Sequence, residues 1–298
     1  MEEKSSKDIG ERKNQERRRR LFRLLCVIVF IVSAAGLAGY GVLCFYQDRT
    51  TRDVQEALQN ILEAEEAAAS KEGEPENGFG AETAAPKIKP QKPEILSKYG
   101  SLYEINPDMI GWLAIDGTVI DYPVMQTMED ESYYLSVDFY GQPNKNGCLI
   151  MDTDSVVGTG TKADGYMDGA SPSTNLIIHG HTMRNGDMFG DLSLYEDETY
   201  GKEHSRICFD SLYEEREYEL IAAFYSQVYY ESEDVFKYYK FFQADTQEEF
   251  DDWYDHIKEL SLYDTGVTAE FGDEFITLSC CAYHVEDGRF VVVAKRIK

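Results

Sequence analysis

The chain has 298 residues, of which 43% are hydrophobic, and a formal net charge of −26 at pH 7. This length provides one sizeable folded domain with appendages, because two full domains would leave little chain for linkers. The negative charge argues against nucleic acid as a partner, since an acidic surface repels phosphate backbones. Solubility at a cell surface and attraction of a cationic partner both remain explanations of this charge.

The first 46 residues have the pattern of a membrane anchor. Residues 1–23 are polar and rich in arginine, whereas residues 24–46 contain no charged side chain. A helix of that length spans roughly 35 Å, slightly more than the hydrocarbon core of a bilayer. A secretory signal peptide is the alternative, but its apolar core would be only about 7 to 15 residues long. We expect a cytoplasmic stub, then a single-pass transmembrane helix, with the rest of the chain extracellular, because arginine-rich flanks stay in the cytoplasm.

Residues 47–92 connect this anchor to the folded domain. Apolar residues at helical spacing between Val54 and Leu62 predict a juxtamembrane helix. The stretch KEGEPENGFGAETAAPKIKPQKP that follows is rich in glycine, proline and charge. Such a composition is typical of a flexible spacer, which would lift the domain off the membrane.

The domain predicted over residues 93–298 is mainly β. After a helix near its start, it contains seven or eight short β-rich segments bounded by turn residues, which suggests a closed or nearly closed sheet. These segments are GWLAIDGTVIDYPVMQ, GCLIMD, TNLIIHG, RICFD, EYELIAAFYSQVY, FITLSCC and RFVVVAKRI. Helical patterns interrupt them at GDMFGDLSLY and at DTQEEFDDWYDHIKELSLY, where Phe250, Tyr254, Ile257 and Leu260 have helical spacing.

Two adjacent cysteines, Cys280 and Cys281, end the segment FITLSCC. Side chains alternate along a strand, so Cys280 is expected on the apolar face and Cys281 on the opposite, polar face. A disulfide between neighbours conflicts with this geometry, which sends their Cβ atoms apart. A zinc site would require a cluster of ligands, and the nearest candidates, His179 and His181, have no evident third partner. A buried core cysteine and a reactive thiol therefore remain as the alternatives for Cys281.

A nucleophilic thiol requires a proton donor or acceptor and a group that stabilises the oxyanion. The segment NLIIHGHTM places two of the five histidines of the chain at the end of an apolar strand. Arg289 follows Cys281 after the loop AYHVEDG, so the two residues would flank this loop at one end of an antiparallel hairpin. Thiol, imidazole and guanidinium can therefore converge. His284 is also close to Cys281 in sequence, but it falls inside the loop.

At these residues the chain resembles the sortases, specifically class B. The TLSTC strand of that family appears as Thr277 to Cys281, and its arginine after a loop appears as Arg289. Its GH box with the following MF..L..Y pattern appears as GHTMRNGDMFGDLSLY. Two positions depart from the family pattern, because Cys280 replaces a threonine and His179 replaces an aromatic residue. The resemblance extends over about two-thirds of the chain.

The resemblance implies a sortase-like closed β-barrel of about eight strands with peripheral helices. It also implies a membrane-anchored cysteine transpeptidase that cleaves a C-terminal sorting signal of secreted proteins and transfers the acyl group to a cell-wall amine. In that reaction Cys281 would form a thioester, His181 would exchange protons with the two amines, and Arg289 would hold the signal and the oxyanion. Ser279 and Thr277, on the same strand face, would contribute to substrate binding. No metal or cofactor is expected.

Two other functions remain as alternatives at this point. One is a cysteine endopeptidase without transfer, and the other is a catalytically idle surface binding domain on the same barrel. Smaller questions also stay open. The aromatic residues between Tyr229 and Phe242 could form a substrate wall or pack in the core, and Cys148 and Cys208 could be core residues or a disulfide.

Overall fold

The computed structural model describes residues 2–72, 94–159 and 171–298. The residues up to Thr50 form one compact unit, and those from Thr51 onward form a second. Most of the predicted flexible spacer, residues 73–93, lies outside the described residues, and so does the residue at which the domain was predicted to begin.

The first unit is helical. Helix α1 comprises Glu2–Glu72, and within its segment Arg20–Ala69 a window of 18 residues with a mean hydropathy of 2.5 is apolar enough to cross a membrane. Large apolar side chains are exposed along this unit from Leu21 to Tyr46. A signal sequence near an N-terminus passes the same test of length and composition. The structure therefore provides one long apolar helix that could serve as an anchor.

The second unit is built on eight strands, and each predicted β-rich segment is confirmed as one or two of them. The strands are β1 (Met109–Ala114), β2 (Asp121–Met125), β3 (Leu149–Met151), β4 (Asn175–Gly180), β5 (Arg206–Ser211), β6 (Glu217–Gln227), β7 (Phe275–Cys281) and β8 (Gly288–Arg296). They pair in the order β1-β2-β3-β4-β7-β8-β6-β5, and β5 pairs with β1, so the sheet forms a ring. All neighbours are antiparallel except β2 with β3 and β4 with β7.

Short helices connect these strands. A 3₁₀ turn and α2 (Gly100–Ile105) form the helix that was expected near the start of the domain. The pattern GDMFGDLSLY corresponds to a 3₁₀ helix at Gly190–Glu196, and α3 (Glu198–Glu203) follows it. The last helix, α4 (Gln247–Leu260), confirms the second helical pattern and begins with a capping box.

The buried face of α4 keeps two of the four predicted residues and includes Trp253 in addition. Phe250, Trp253 and Ile257 are buried, whereas Tyr254 is half-buried and Leu260 is exposed. Trp253 is drawn inward because its indole ring stacks on Phe241, with 4.3 Å between the ring centroids.

The main hydrophobic core lies inside the ring of strands. Each of the eight strands contributes alternate apolar side chains to it, and two outer clusters pack on the other face of the sheet. On β7, Ile276, Leu278 and Cys280 point into this core. The intervening residues of β7 face outward, as the period of two requires. This alternation places the side chains of Cys280 and Cys281 on opposite faces of β7.

Candidate active site

Three neighbouring strands bring the three predicted catalytic residues to one end of the ring. Strands β4 and β7 run parallel with Gly180 opposite Cys280, so His181 and Cys281 follow at the same end. Strand β8 returns antiparallel to β7 and places Arg289 directly opposite Cys281. The nucleophile candidate is thus flanked by the histidine on one side and by the arginine on the other.

A cavity of about 520 Å³ opens at this end of the sheet. His181, Cys281 and Arg289 all line it, and so does Ser279. The structure therefore brings together four of the five site residues that were predicted from the sequence. Cys280, only 2% exposed, also borders the cavity, and the remaining walls come from the β2–β3 connection, the ends of β3 and β4, and the connection between β6 and α4.

The fifth predicted residue, Thr277, does not line this cavity. Its side chain is buried, and its hydroxyl donates a hydrogen bond of 2.8 Å to Oδ1 of Asn175 on β4. This contact ties β7 to β4 two strand positions below Ser279. The expectation that Thr277 binds substrate is therefore corrected, because the hydroxyl is occupied inside the sheet.

Cys280 and Cys281 have different surroundings. The side chain of Cys280 is 2% exposed in the core, and burial raises the pKa of its thiol to about 11. A thiol with that pKa is protonated at neutral pH and is a poor nucleophile. Cys281 is half-buried and faces the polar side of the strand. The predicted core orientation of Cys280 is confirmed, and the contrast favours Cys281 as the reactive thiol.

The imidazole of His181 is oriented by a main-chain carbonyl. Its Nε2 lies 2.9 Å from the carbonyl oxygen of Leu135. Because a carbonyl can only accept, Nε2 carries a proton in this contact, and Nδ1 is the nitrogen left to exchange protons with a reacting group. The carbonyl of His181 in turn accepts a hydrogen bond of 3.0 Å from the amide of Phe189. Hydrogen bonds therefore hold both the imidazole and the main-chain carbonyl of His181.

Arg289 is held by the backbone of the hairpin loop that precedes it. Its Nη1 donates to the carbonyl oxygens of Gly288 at 3.0 Å and of Asp287 at 3.3 Å. A surface ion pair with Asp287 or Glu286 would be the simplest alternative role for this arginine. Among the described residues, no carboxylate lies within ion-pair distance of its guanidinium. Nε and Nη2 therefore remain able to donate to a ligand.

A buried pair of hydroxyls forms part of the cavity wall. The Tyr238 hydroxyl and the Ser279 Oγ are 2.7 Å apart, and both residues are almost fully buried. Burial is the main cause that raises the pKa of the tyrosine, so its hydroxyl stays protonated. Tyr238 and Tyr239 line the cavity, whereas Phe241 packs on α4. The aromatic segment that was ambiguous in sequence therefore contributes to the cavity wall at some positions and to helix packing at another.

One further residue at this site was missed from the sequence. The hydroxyl of Thr182 donates a hydrogen bond of 2.6 Å to the main-chain carbonyl oxygen of Cys281. The ladder between β4 and β7 ends at Gly180 and Cys280, so this bond continues their connection by a side chain. The position directly after the histidine in GHTM was the only available signal, and a lone threonine there gave no indication of this partner.

The other histidine near the site belongs to a separate cluster. His179 Nε2 lies 3.4 Å from Oδ2 of Asp152, and ligand atoms of these two residues and of Glu131 all lie within 4.8 Å of one another. Among the described residues, these three side chains are the group that could hold a metal ion together. His181 is not part of it, so the paired-histidine site considered from the sequence does not form.

The remaining cysteines and His284 lie apart from this chemistry. Cys148 and Cys208 are free thiols, as is each cysteine in the described residues. Cys148 is buried, which raises the pKa of its thiol strongly. His284 packs against Tyr225 with 4.6 Å between the ring centroids, away from the cavity wall. The core alternative for Cys148 is confirmed by this burial.

Comparison with known proteins places this arrangement in a family. The chain is 30% identical to sortase B of Listeria monocytogenes over 206 residues, which are 68% of this chain and 76% of that protein. This chain belongs to the sortase B family. No family model matches the chain. As a sortase it is a cysteine transpeptidase, and the family implies substrate proteins with a sorting signal and an amine acceptor.

Solved sortase B structures share the fold. Sortase B of Bacillus anthracis in complex with AAEK1 matches with a TM-score of 0.62 at 27% identity, covering 85% of this chain and 99% of that chain. A Staphylococcus aureus sortase B–substrate complex matches with a TM-score of 0.64, with the same coverage. Its 24% identity supports the fold alone. The sortase assignment made from three ordered motifs is thereby confirmed at the level of family and fold.

Proposed function

We propose that this sortase is anchored in the cell membrane and cleaves a C-terminal sorting signal of secreted proteins through a thioester on Cys281. The acyl group then passes to an amine of the cell wall. The observation that carries this proposal is the register of three strands, β4, β7 and β8, which sets His181, Cys281 and Arg289 side by side in one cavity. No metal or cofactor takes part in this mechanism.

The proposed reaction has two halves that share one proton carrier. The Cys281 sulfur, as thiolate, attacks the scissile carbonyl carbon and forms a tetrahedral oxyanion. As the C–N bond breaks, His181 gives a proton to the leaving amine, and the thioester remains. The acceptor amine then attacks the thioester carbonyl and loses a proton to His181. Cys281 leaves as thiolate, so the enzyme returns to its starting state with one amide broken and one made.

Arg289 supplies the positive charge for this chemistry. It is opposite Cys281 in the hairpin, and only Nη1 is used by the protein backbone. Nε and Nη2 can therefore donate to the oxyanion or to the carbonyl groups of the bound signal, which would be worth about 3 to 4 kcal/mol in the transition state. The Ser279–Tyr238 hydroxyl pair forms the adjacent polar wall and would contact the signal from the other side.

The proposed location follows from the N-terminal sequence. The arginine cluster next to the apolar helix supports a cytoplasmic N-terminus and an extracellular catalytic domain. Anchoring would keep the enzyme where exported substrates and wall precursors both pass, which raises their effective concentration. We also interpret the ring of strands as the closed barrel of the sortase fold, supported by the pairing of β5 with β1.

An experiment on the purified full-length protein tests the proposal. Peptides that end in the sorting signals of secreted proteins from the same genome are incubated with the enzyme, with or without a short amine nucleophile. Intact-mass spectrometry should detect an acyl adduct that maps to Cys281, and the amine should convert it to a new amide product. Hydrolysed peptide with no amide at any amine concentration would instead identify an endopeptidase. The absence of any adduct across the peptide set would contradict the proposal.

A further inference from the structure

The segment of α1 from Thr51 onward is packed into the second unit. Leu58 is 1% exposed in a cluster with Tyr99 and Trp112, and Val54 and Ile61 pack against the same cluster. These contacts, and the division of the chain at Thr51, make this part of the helix a component of the folded catalytic unit. The sequence indicated the helix but gave no reason to expect such a role.

One residue of this segment contacts the loop that carries the catalytic histidine. The Arg52 guanidinium binds the Asp187 carboxylate, with 3.2 Å from Nη2 to Oδ1 and 3.3 Å from Nε to Oδ1. Asp187 is only 6% exposed, and its Oδ2 also accepts a hydrogen bond of 2.7 Å from the side chain of Asn185. A nearly buried carboxylate is costly without partners, so this pair fixes Asp187 in the loop.

The residue after Asp187 has a strained backbone. Met188 has a φ of +58°, in the left-handed region that side chains other than glycine rarely adopt. Its amide donates to the Tyr122 hydroxyl at 3.2 Å, and its side chain is buried. Such a conformation persists only where the surrounding contacts hold it. The ion pair at Asp187 and the bond to Tyr122 are contacts of that kind.

This strained turn is bonded directly to the catalytic histidine. Met188 forms a β-bridge with Thr182, and the Phe189 amide donates to the carbonyl of His181 at 3.0 Å. Thr182 in turn binds the carbonyl of Cys281. A continuous series of contacts thus runs from Arg52 through Asp187 and the turn to both reacting groups.

We propose that Arg52 is a positioning residue that acts through Asp187 to keep His181 in register with Cys281. The helical segment that follows the apolar anchor in sequence is then a working part of the active site. This inference rests on the proposed function, in which His181 exchanges protons at the thioester. Arg52 does not itself touch the reacting atoms.

The ion pair has a property that separates a positioning role from a stabilising one. The side chain of Arg52 is 63% exposed, and Asp187 keeps its hydrogen bond from Asn185 when Arg52 is replaced, so removal of the arginine charge should change the stability of the fold little. A small displacement of a general acid and base, in contrast, lowers the rate of the chemical step. Loss of activity without loss of stability is therefore the signature of the proposed role.

The test uses the full-length protein in detergent, four variants of the ion pair and one control variant. Arg52→Ala should lower kcat for acyl transfer about three- to tenfold with KM unchanged, and Arg52→Lys should recover most of this loss. Asp187→Asn should lower kcat similarly. The double variant that combines Arg52→Ala with Asp187→Asn should have a kcat no lower than that of the slower of these two single variants. The matched control is Gln59→Ala on the same helix, which removes a 2.7 Å hydrogen bond to Asp121 at the start of β2. It should keep wild-type kcat, and all variants should melt within a few degrees of wild type.

A second readout does not depend on peptide turnover. The rate at which iodoacetamide alkylates Cys281 at pH 7, measured by tandem mass spectrometry, depends on the neighbouring imidazole. It should fall in Arg52→Ala and not in Gln59→Ala. If the wild-type protein forms no acyl-enzyme, the proposed function is wrong. The alkylation rates still test whether Arg52 positions His181 relative to Cys281. The inference would be overturned if Arg52→Ala kept the wild-type kcat and alkylation rate. It would also be overturned if Gln59→Ala lowered both quantities as much as Arg52→Ala does.

Discussion

The two loops that flank Cys281 are held in different ways. The loop after β4, from His181 to Phe189, is fixed by the Thr182 hydroxyl, by the Asp187 ion pair and by the buried side chains of Met188 and Phe189. The loop between β7 and β8 projects outward, and its Tyr283 is 85% exposed. The first loop carries His181, for which we propose proton transfer. The second ends at Arg289, for which we propose stabilisation of the oxyanion.

This difference matches the demands of the two roles. Proton transfer requires heavy atoms within hydrogen-bond reach, so a general acid and base must be fixed closely. A guanidinium has several donors in a rigid fork and can be placed by the register of its strand alone. The strand register places Arg289 opposite Cys281, and two hydrogen bonds from its guanidinium to backbone carbonyls hold the side chain. Substitutions in the two loops should therefore differ in how much they lower the reaction rate.

The largest effect is expected at the residue between the two loops. Cys281→Ala removes the nucleophile and should abolish acyl-enzyme formation, as measured by intact-mass spectrometry. Cys280→Thr should keep activity within about threefold of wild type, because Cys280 packs in the core and its substitution changes little volume. If Cys280→Thr is as inactive as Cys281→Ala, the assignment of the reactive thiol is wrong.

Alkylation against pH gives an independent check on this pair. The raised pKa of Cys280, about 11, keeps its thiol protonated at pH 8, so iodoacetamide should modify Cys281 and leave Cys280 unmodified. A raised folded pKa also means that Cys280 favours the folded state below the ordinary thiol value of 9.0, and that this contribution is lost as pH rises toward 11. Preferential labelling of Cys280 at pH 8 would contradict the burial argument.

The second largest effect is expected at Arg289. Loss of an oxyanion donor costs about a hundred- to a thousandfold in rate. Arg289→Lys keeps the charge but not the fork of donors, so it should fall well below wild type in peptide turnover, and Arg289→Ala should fall further. Alkylation of Cys281 should continue in both variants, which controls for folding. Near wild-type turnover in Arg289→Lys would show that only a general positive charge is needed at this position.

The third prediction tests how tightly the histidine loop is joined to the nucleophile. Thr182→Val keeps the shape of the side chain but removes the hydroxyl that binds the carbonyl of Cys281. We expect kcat to fall about tenfold with little change in KM, whereas Thr182→Ser, which keeps the donor, should stay within about threefold of wild type. Equal activity of the valine and serine variants would exclude the hydroxyl as a connection between the two residues.

Much of the fold could be predicted because its signals are local. The alternation along FITLSCC assigned Cys280 to the core before any partner strand was known, and the loop length between Cys281 and Arg289 was enough to place them opposite each other. The capped helix α4 was likewise visible in its own sequence. Each of these features depends on residues fewer than about twenty positions apart, where the period of the backbone controls the outcome.

The missed features all join residues distant in sequence. Arg52 and Asp187 are 135 positions apart, and Thr182 and Cys281 are 99 apart. These contacts exist only once β4 lies beside β7 and the helix packs against β1, and no local pattern encodes that arrangement. The position of Tyr238 beside Ser279 depends on the same closure of the sheet. Motifs were enough to predict that His181, Cys281 and Arg289 lie together, whereas the residues that contact them from distant parts of the chain could not be predicted.

The smallest effect is expected in the exposed loop, at Tyr283. The loop is closed by backbone bonds, from the Ala282 amide to the Gly288 carbonyl at 2.9 Å and from the Gly288 amide to the Val285 carbonyl at 3.2 Å. The tyrosine side chain takes no part in these bonds, so Tyr283→Ala should leave Arg289 in place. We expect kcat/KM for peptide to change less than about threefold and stability by less than about 0.5 kcal/mol. Tyr230→Ala, at a side chain that is 82% exposed, is the matched control.

A loss of kcat above about tenfold in Tyr283→Ala, but not in Tyr230→Ala, would mean that this loop fixes Arg289 through its side chains. The contrast between the two loops would then be wrong, because both sides of Cys281 would be held with equal strictness.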